Sequence, residues 1–177
     1  MTGRAEEELA IETYRFADDG TVPNNPALPL VVYRGALAES SDRAADCERL
    51  FARNGWPDAW RNGIYGHHHY HSTAHEVLGI AAGTVRVRLG GEAGQSVELR
   101  AGDVVVIPAG VAHKRESASP DLLVIGAYPR GQSPDMCRAE LAAHDQALPR
   151  ITAVPLPGAD PVTGRADPLL ECWRGAD

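Results

Sequence analysis

No apolar stretch of this 177-residue chain approaches the ~20 residues that a membrane-spanning helix needs. The N-terminal MTGRAEEELAIETYRF lacks the apolar core of a secretory signal. Lysine and arginine are scattered, no basic run occurs, and the formal net charge is −7. Nucleic acid and anionic membrane surfaces are therefore excluded as expected partners. Cysteine is scarce and odd in number: Cys47, Cys137 and Cys172 form no C-x-x-C pair. That argues against a disulfide framework and a cysteine-built zinc site, and the expected location is a reducing cytoplasm. There is no repeat of fixed period, no low-complexity segment, no Gly-rich phosphate loop and no serine-centred elbow. What remains is an ordinary globular composition, 44% apolar and 23% charged, of a length suited to a single domain over 1–177.

Local patterning divides the chain into a β-rich middle with appended ends. TYRFADDG reads as a short strand closing at an Asp-Gly turn, and PLVVYRG as a second strand after a Pro/Asn-rich link. A helix follows, with Ser41 as its expected N-cap, Ala44, Cys47, Leu50 and Phe51 on one face, and Gly55 as its stop. From Gly63 to Pro129 short strands alternate with turns: VRVRL, QSVELR, VVVIP and DLLVIGAYP are separated by GGEAG and AGD. Such a series predicts a sandwich or barrel. DMCRAELAAHDQAL (135–148) predicts a second helix opened by Ser133 and Pro134, and the proline-rich tail is expected to wrap across the barrel.

The conspicuous excess is histidine. Residues 66–76, GHHHYHSTAHE, hold five of the seven histidines. On a strand His69 and His71 project to one face while Tyr70 points away. The four residues 72–75 turn a corner and bring Glu76 back on the adjacent strand. Two neutral imidazoles and a carboxylate then form a mixed nitrogen–oxygen site for a divalent first-row metal. Downstream, a Gly102-Asp103 turn launches the strand VVVI, and Pro108-Ala109-Gly110 turns the chain to deliver His113 at a strand start.

Together these segments resemble the cupin superfamily. Its first motif is matched by Gly63, His69-x-His71, Glu76 and Gly83, and its second by Gly102, Pro108-x-Gly110 and His113. Only the last position departs, with Ser117 in place of asparagine. RNGIYGHHHYHSTAHEVLG, with PNNPALPLVVYRG and IGAYPRG, is most like a small bacterial group of the YjlB type. The resemblance is strongest over 63–130. It implies a mainly β jelly-roll barrel with one helix before its core and one after. It further implies that His69, His71, Glu76 and His113 hold one metal, Fe, Mn, Ni or Zn, with about two positions left open on an octahedral ion. A small-molecule metalloenzyme of oxidoreductase, dioxygenase-like type is the first expectation. A metal-dependent isomerase or lyase, and a non-catalytic binder or sensor, are the alternatives. Family analogy and free sheet edges imply a homodimer.

The surrounding residues carry weaker signals. His67 and Tyr65 share the inward parity and are candidates to assist the chemistry beside the metal, against a plain place at the barrel mouth. His68 is expected on the surface or at an interface, and His75 facing away from the metal. His144 is expected to be solvated or capping on its helix. Arg86 and Arg88 are expected on the wet face of their strand, solvated, paired with acids, or holding an anionic substrate. Cys47 is expected in the core.

Overall fold

Strand parity, more than any single residue, builds the barrel. The computed structural model describes residues 8–175. In chain order β1 (Ala10–Tyr14) and β2 (Leu30–Arg34) precede α1 (Arg43–Arg53). Next come β3 (Trp60–Asn62), β4 (His69–Tyr70), β5 (Glu76–Ala82), β6 (Thr84–Leu89), β7 (Gln95–Arg100), β8 (Val104–Ile107), β9 (His113–Ala118) and β10 (Leu123–Ala127). A short β11 (Cys137–Arg138), α2 (Leu141–Ala153) and α3 (Leu169–Arg174) complete the order. The strands form two antiparallel sheets, β1-β2-β8-β5-β10-β3 and β11-β4-β9-β6-β7, the two walls of a jelly roll.

Residues two apart share a face, so each strand feeds two compartments. Leu30, Val32, Leu78, Ile80, Val85, Val87, Leu89, Val105 and Ile107 fill the interior. Val31, Tyr33, Val77, Val104, Val106 and Ile125 face outward from the first sheet, where Cys47 and Phe51 of α1 and Leu169 and Trp173 of α3 cover them. Buried on both faces, β2 and β8 therefore read as unbroken apolar runs. On β6 the outward Arg86 and Arg88 face solvent, and Arg88 lies 3.8 Å from Glu116. Burial pushes the Cys47 thiol up to about 12, as an inert core residue requires.

The structure corrects four local expectations. β1 ends at Tyr14, before Arg15-Phe16, and Asp19 organises the following turn by accepting from the N–H groups of Thr21 and Val22 at 2.9 and 2.8 Å. Helix α1 is capped by Asp42 instead of Ser41, because the Asp42 carboxylate accepts from the Ala45 N–H at 3.0 Å. The second helix begins at Leu141 and runs through Pro149 to Ala153. Residues 135–140 are kept from helix because Cys137 and Arg138 pair with Tyr70 and His69 while Asp135 binds the Ser72 N–H at 2.6 Å. Finally, Glu76 does not return on a strand adjacent to His69. It opens β5 in the facing sheet, so the corner at 72–75 crosses the barrel.

Three hydrogen bonds tie the tail to earlier segments. Trp173 donates its indole N–H to the Pro29 carbonyl at 2.8 Å, Trp56 donates to Ala159 at 3.0 Å, and the Tyr33 hydroxyl donates to Asp160 at 2.6 Å. His144, expected to be solvated, is nearly covered and clamped between Asp145 and Asp18, with ring nitrogens 2.8 Å from each. It joins α2 to the N-terminal segment.

Hydrogen bonds to Asp145 and Asp18 raise the His144 pKa above its ordinary 6.5. Its stabilising contribution is thus fully present in acid and is lost as pH rises through the raised folded value. The stability deficit of His144→Gln relative to wild type should be largest near about pH 6 and shrink towards about pH 8.5. Thermal melts across that range test it, and a deficit independent of pH would refute the clamp.

Candidate metal centre

Three strands and one corner bring the polar cluster together. His69 opens β4, and His71 follows the strand at the start of the corner. Glu76 is the first inward residue of β5, ahead of Leu78 and Ile80. His113 opens β9, paired with His69 on one side and Leu89 on the other. All four are at most 6% exposed. Among the described residues, one group of His, Cys, Asp or Glu side chains has metal-holding geometry. It is His69, His71 and His113, with one ring nitrogen from each lying within 4.8 Å of the others. Glu76 meets two of them: Oε2 lies 3.3 Å from His71 Nε2, and Oε1 lies 3.1 Å from His113 Nε2.

Ring orientation follows from the backbone. Nδ1 of His69 faces the His67 carbonyl at 3.3 Å, Nδ1 of His71 the Asp135 carbonyl at 2.5 Å, and Nδ1 of His113 the Val111 carbonyl at 3.1 Å. A carbonyl only accepts, so each Nδ1 carries a proton, and each ring when neutral turns an Nε2 lone pair inward. Those lone pairs then confront a carboxylate that also only accepts. The gap calls for a positive charge, a shared proton or a cation. Ligands about 2.1 Å from one ion sit about 3 Å apart when adjacent, which is the spacing between Glu76 and its two neighbours.

Electrostatics agree with that reading. Burial, with His113 and His71 beside it, pushes His69 down to about 3, so it stays neutral. For His71 burial acts downward, but the Glu76 carboxylate and the Asp135 carbonyl outweigh it and raise the value above 6.5. Burial opposes ionisation of Glu76, yet the imidazoles of His71 and His113 hold it well below the usual carboxylate range.

The cluster forms one end of a cavity of about 450 Å³. Its apolar wall is Trp60, Ile64, Leu78 and Met136, and Tyr65, Tyr128 and Arg115 also line it. The expected Tyr65 stands at the mouth, 53% exposed. His67 stacks on Tyr65 with ring centroids 5.2 Å apart, outside the lining, and reaches the cluster through its carbonyl. His68 is more covered than expected, held 2.5 Å from Glu92 with only 11% of its side chain exposed. His75 does face away from the cluster, but it is buried against Trp173, and its Nδ1 accepts from the Ala109 N–H at 2.9 Å.

Sequence reasoning missed Tyr128, Asp135 and Arg115. Tyr128 follows Val124 and Gly126 on the inward parity of β10, a signal that was there to read. Burial and the nearby Glu76 push its phenol pKa up, and its oxygen accepts from Trp60 Nε1 at 3.2 Å. Trp60 can lie there because its partner in register, Gly126, has no side chain: a Cβ would come 2.0 Å from the indole. Asp135 offered no periodic signal, since its role depends on a chain reversal.

A family model described as a cupin domain matches residues 61–125. The uncharacterised protein YjlB of Bacillus subtilis (strain 168) is 43% identical over 166 residues, covering 94% of this chain and 98% of that relative. The chain therefore belongs to the cupin superfamily and, within it, to the YjlB-type group. Among solved structures, acireductone dioxygenase from Bacillus anthracis with a cadmium ion in its active centre aligns over 71% of this chain and 82% of its own, at 16% identity and TM-score 0.39. A DUF861 family protein from Thermotoga maritima aligns over 47% and 89%, at 21% identity and TM-score 0.32. The 11S allergen of Cocos nucifera matches over 44% of this chain, which spans 24% of that protein, at 23% identity and TM-score 0.34.

Gly126→Ala should displace the Trp60 indole from the cavity wall and cost about 1–3 kcal/mol by overpacking. Urea denaturation followed by tryptophan emission measures both effects. Unchanged stability and emission would mean that the contact between indole and backbone does not set the wall.

Proposed function

We propose that His69, His71, Glu76 and His113 bind one divalent transition metal, and that the chain is a metal-dependent enzyme acting on a small organic molecule, of oxidoreductase, dioxygenase-like type. The observation that carries the reading is the set of three Nδ1 contacts to backbone carbonyls, which aim three Nε2 atoms and the Glu76 carboxylate at one space. Such orientation by outer partners is characteristic of ligating histidines. When bound, Fe, Mn, Ni or Zn supplies Lewis acidity, and Fe or Mn also one-electron chemistry. The three-nitrogen, one-oxygen donor set with open positions suits Fe(II), which places oxidation ahead of isomerisation or lysis.

The chain's own residues do the rest. Glu76 supplies the one negative charge among the four ligands. Trp60, Ile64 and Leu78 keep water from the inner wall. The Tyr128 oxygen accepts from Trp60, and its hydroxyl stands beside Glu76 on the cavity wall. Tyr65 stands where a substrate must pass. On the outer rim β1 is the edge strand of its sheet, with Ile11 38% exposed, and this supports a homodimer formed by sheet extension.

Protein purified without added metal should carry close to one equivalent of a first-row ion. An empty site that also refuses Fe(II), Mn(II) and Zn(II) would leave the non-catalytic binder. Glu76→Gln should weaken metal binding more than about tenfold with the circular dichroism unchanged, whereas His67→Gln, which keeps the carbonyl, should stay within about threefold. Equal losses in both variants would break the ligand assignment.

Metal affinity should also depend on pH in a definite direction. The ion displaces the proton that Glu76 and Asp135 hold on His71 above its ordinary 6.5. Apparent affinity should therefore rise about tenfold per pH unit through the raised His71 value and level off beyond it. Titrations at several pH values check this, and an affinity flat across neutral pH would show that no proton is displaced.

A further inference from the structure

Charge on β9 is distributed unevenly. Lys114 and Glu116 turn outward and find partners, Lys114 at 3.7 Å from Glu92 and Glu116 at 3.8 Å from Arg88. Arg115 shares the inward parity of His113: it pairs with Val87, as His113 pairs with Leu89, and both of those are interior residues. The β9–β6 register shifts immediately afterwards, so the bulge ends the inward run at Arg115. Of the charged residues lining the cavity, Arg61 is held by Glu48 at 2.5 Å and Glu76 by His71 and His113. Arg115 is exposed at the cavity mouth, and among the described residues its guanidinium meets no carboxylate, so its fork of five donors is open to solvent or a ligand. Room for it is kept at the mouth by Gly66, where a Cβ would come 3.2 Å from Nη2.

We propose that Arg115 anchors the carboxylate of a small organic acid, whose apolar body lies against Trp60, Ile64, Leu78 and Met136. A single guanidinium matches a carboxylate by two parallel hydrogen bonds. The cavity's 450 Å³ suits a metabolite-sized molecule rather than a polymer. A chain of net charge −7 repels anions in bulk, so an anionic ligand needs a local cation of this kind at the entrance. The wall explains why the ligand is an organic acid and not an inorganic anion. The inference deepens the enzyme reading by naming its substrate class, but anion capture at Arg115 does not itself require the metal.

The test uses benzoate and hexanoate, each beside its neutral amide, with the full chain in wild-type, Arg115→Gln and Arg115→Lys forms, followed by calorimetry. Each acid should bind wild type at least about tenfold more tightly than its amide. Arg115→Gln should abolish that preference without changing amide binding, and Arg115→Lys should retain part of it. Equal binding of acid and amide to wild type, binding of neither, or a preference that survives in Arg115→Gln would each overturn the proposal. Metal content is measured on the same samples, before and after chelation. A preference kept by metal-free protein that takes up no ion defeats the metal reading alone. A metal-loaded protein without the preference defeats this one alone.

Discussion

Everything in this molecule turns on the burial of a carboxylate and three imidazoles at one end of an otherwise apolar barrel. Glu76 occupies the same interior face as Leu78 and Ile80, and it is 3% exposed. An uncompensated charge there costs several kcal/mol even after relaxation, on the order found for buried ions generally. The histidines cannot compensate as neutral rings, because each has already committed its Nδ1 proton to a backbone carbonyl. The cluster is therefore complete only when something positive sits among Nε2, Nε2, Nε2 and the carboxylate. A shared proton suffices for one pair, whereas a divalent cation satisfies all four groups at once.

Holding that geometry falls largely to segments without regular structure. Asn24 donates to Ala17 and Gly90 and accepts from the Ala112 N–H, and Asn25 donates to the Ala109 carbonyl. Together with His75, which accepts from the Ala109 N–H, they fix the loop that delivers His113. Gly110, at φ +92°, lets that loop pass the Asn24 carbonyl, which a Cβ would approach to 2.4 Å. On the other side Gln132 and Asp135 accept from the N–H groups of His75 and Ser72, so the corner between His71 and Glu76 is clamped at both ends. The cluster is held in place because polar side chains satisfy the backbone of its loops, whose burial would be costly otherwise.

This division explains what could be read from sequence. Period-two alternation made the strands visible, and motif spacing singled out His69, His71, Glu76 and His113, because local backbone geometry alone puts side chains two apart on one face. Pro23-Asn24-Asn25-Pro26 read as a link because its hydrogen bonds go to residues as many as 88 positions away. Residues 135–140 read as helix because their composition is helical, and only pairing with β4 overrides it. His75 was placed correctly as to direction, yet the parity that turns it from the cluster carries it into a second core, since the first sheet is buried on both faces. There burial depresses its pKa to about 4.

Size does not distinguish the site from other concavities. A groove of about 760 Å³ between β2 and β7 is larger than the cavity at the cluster. Its covered polar groups, however, are engaged within the protein: Arg34 binds Glu12 and lies 3.0 Å from Asp103, and Asp103 accepts from the N–H groups of Gly35 and Arg100 at 2.9 Å. Its remaining charged and amide side chains, Gln95, Glu98 and Arg100, are exposed to solvent. The smaller cavity instead gathers three inward Nε2 atoms, a buried carboxylate and a phenol beside an apolar wall, with the exposed Arg115 at its mouth. A buried carboxylate among imidazoles in a partly dry space is destabilising unless something positive completes it, which distinguishes the smaller cavity from the larger groove.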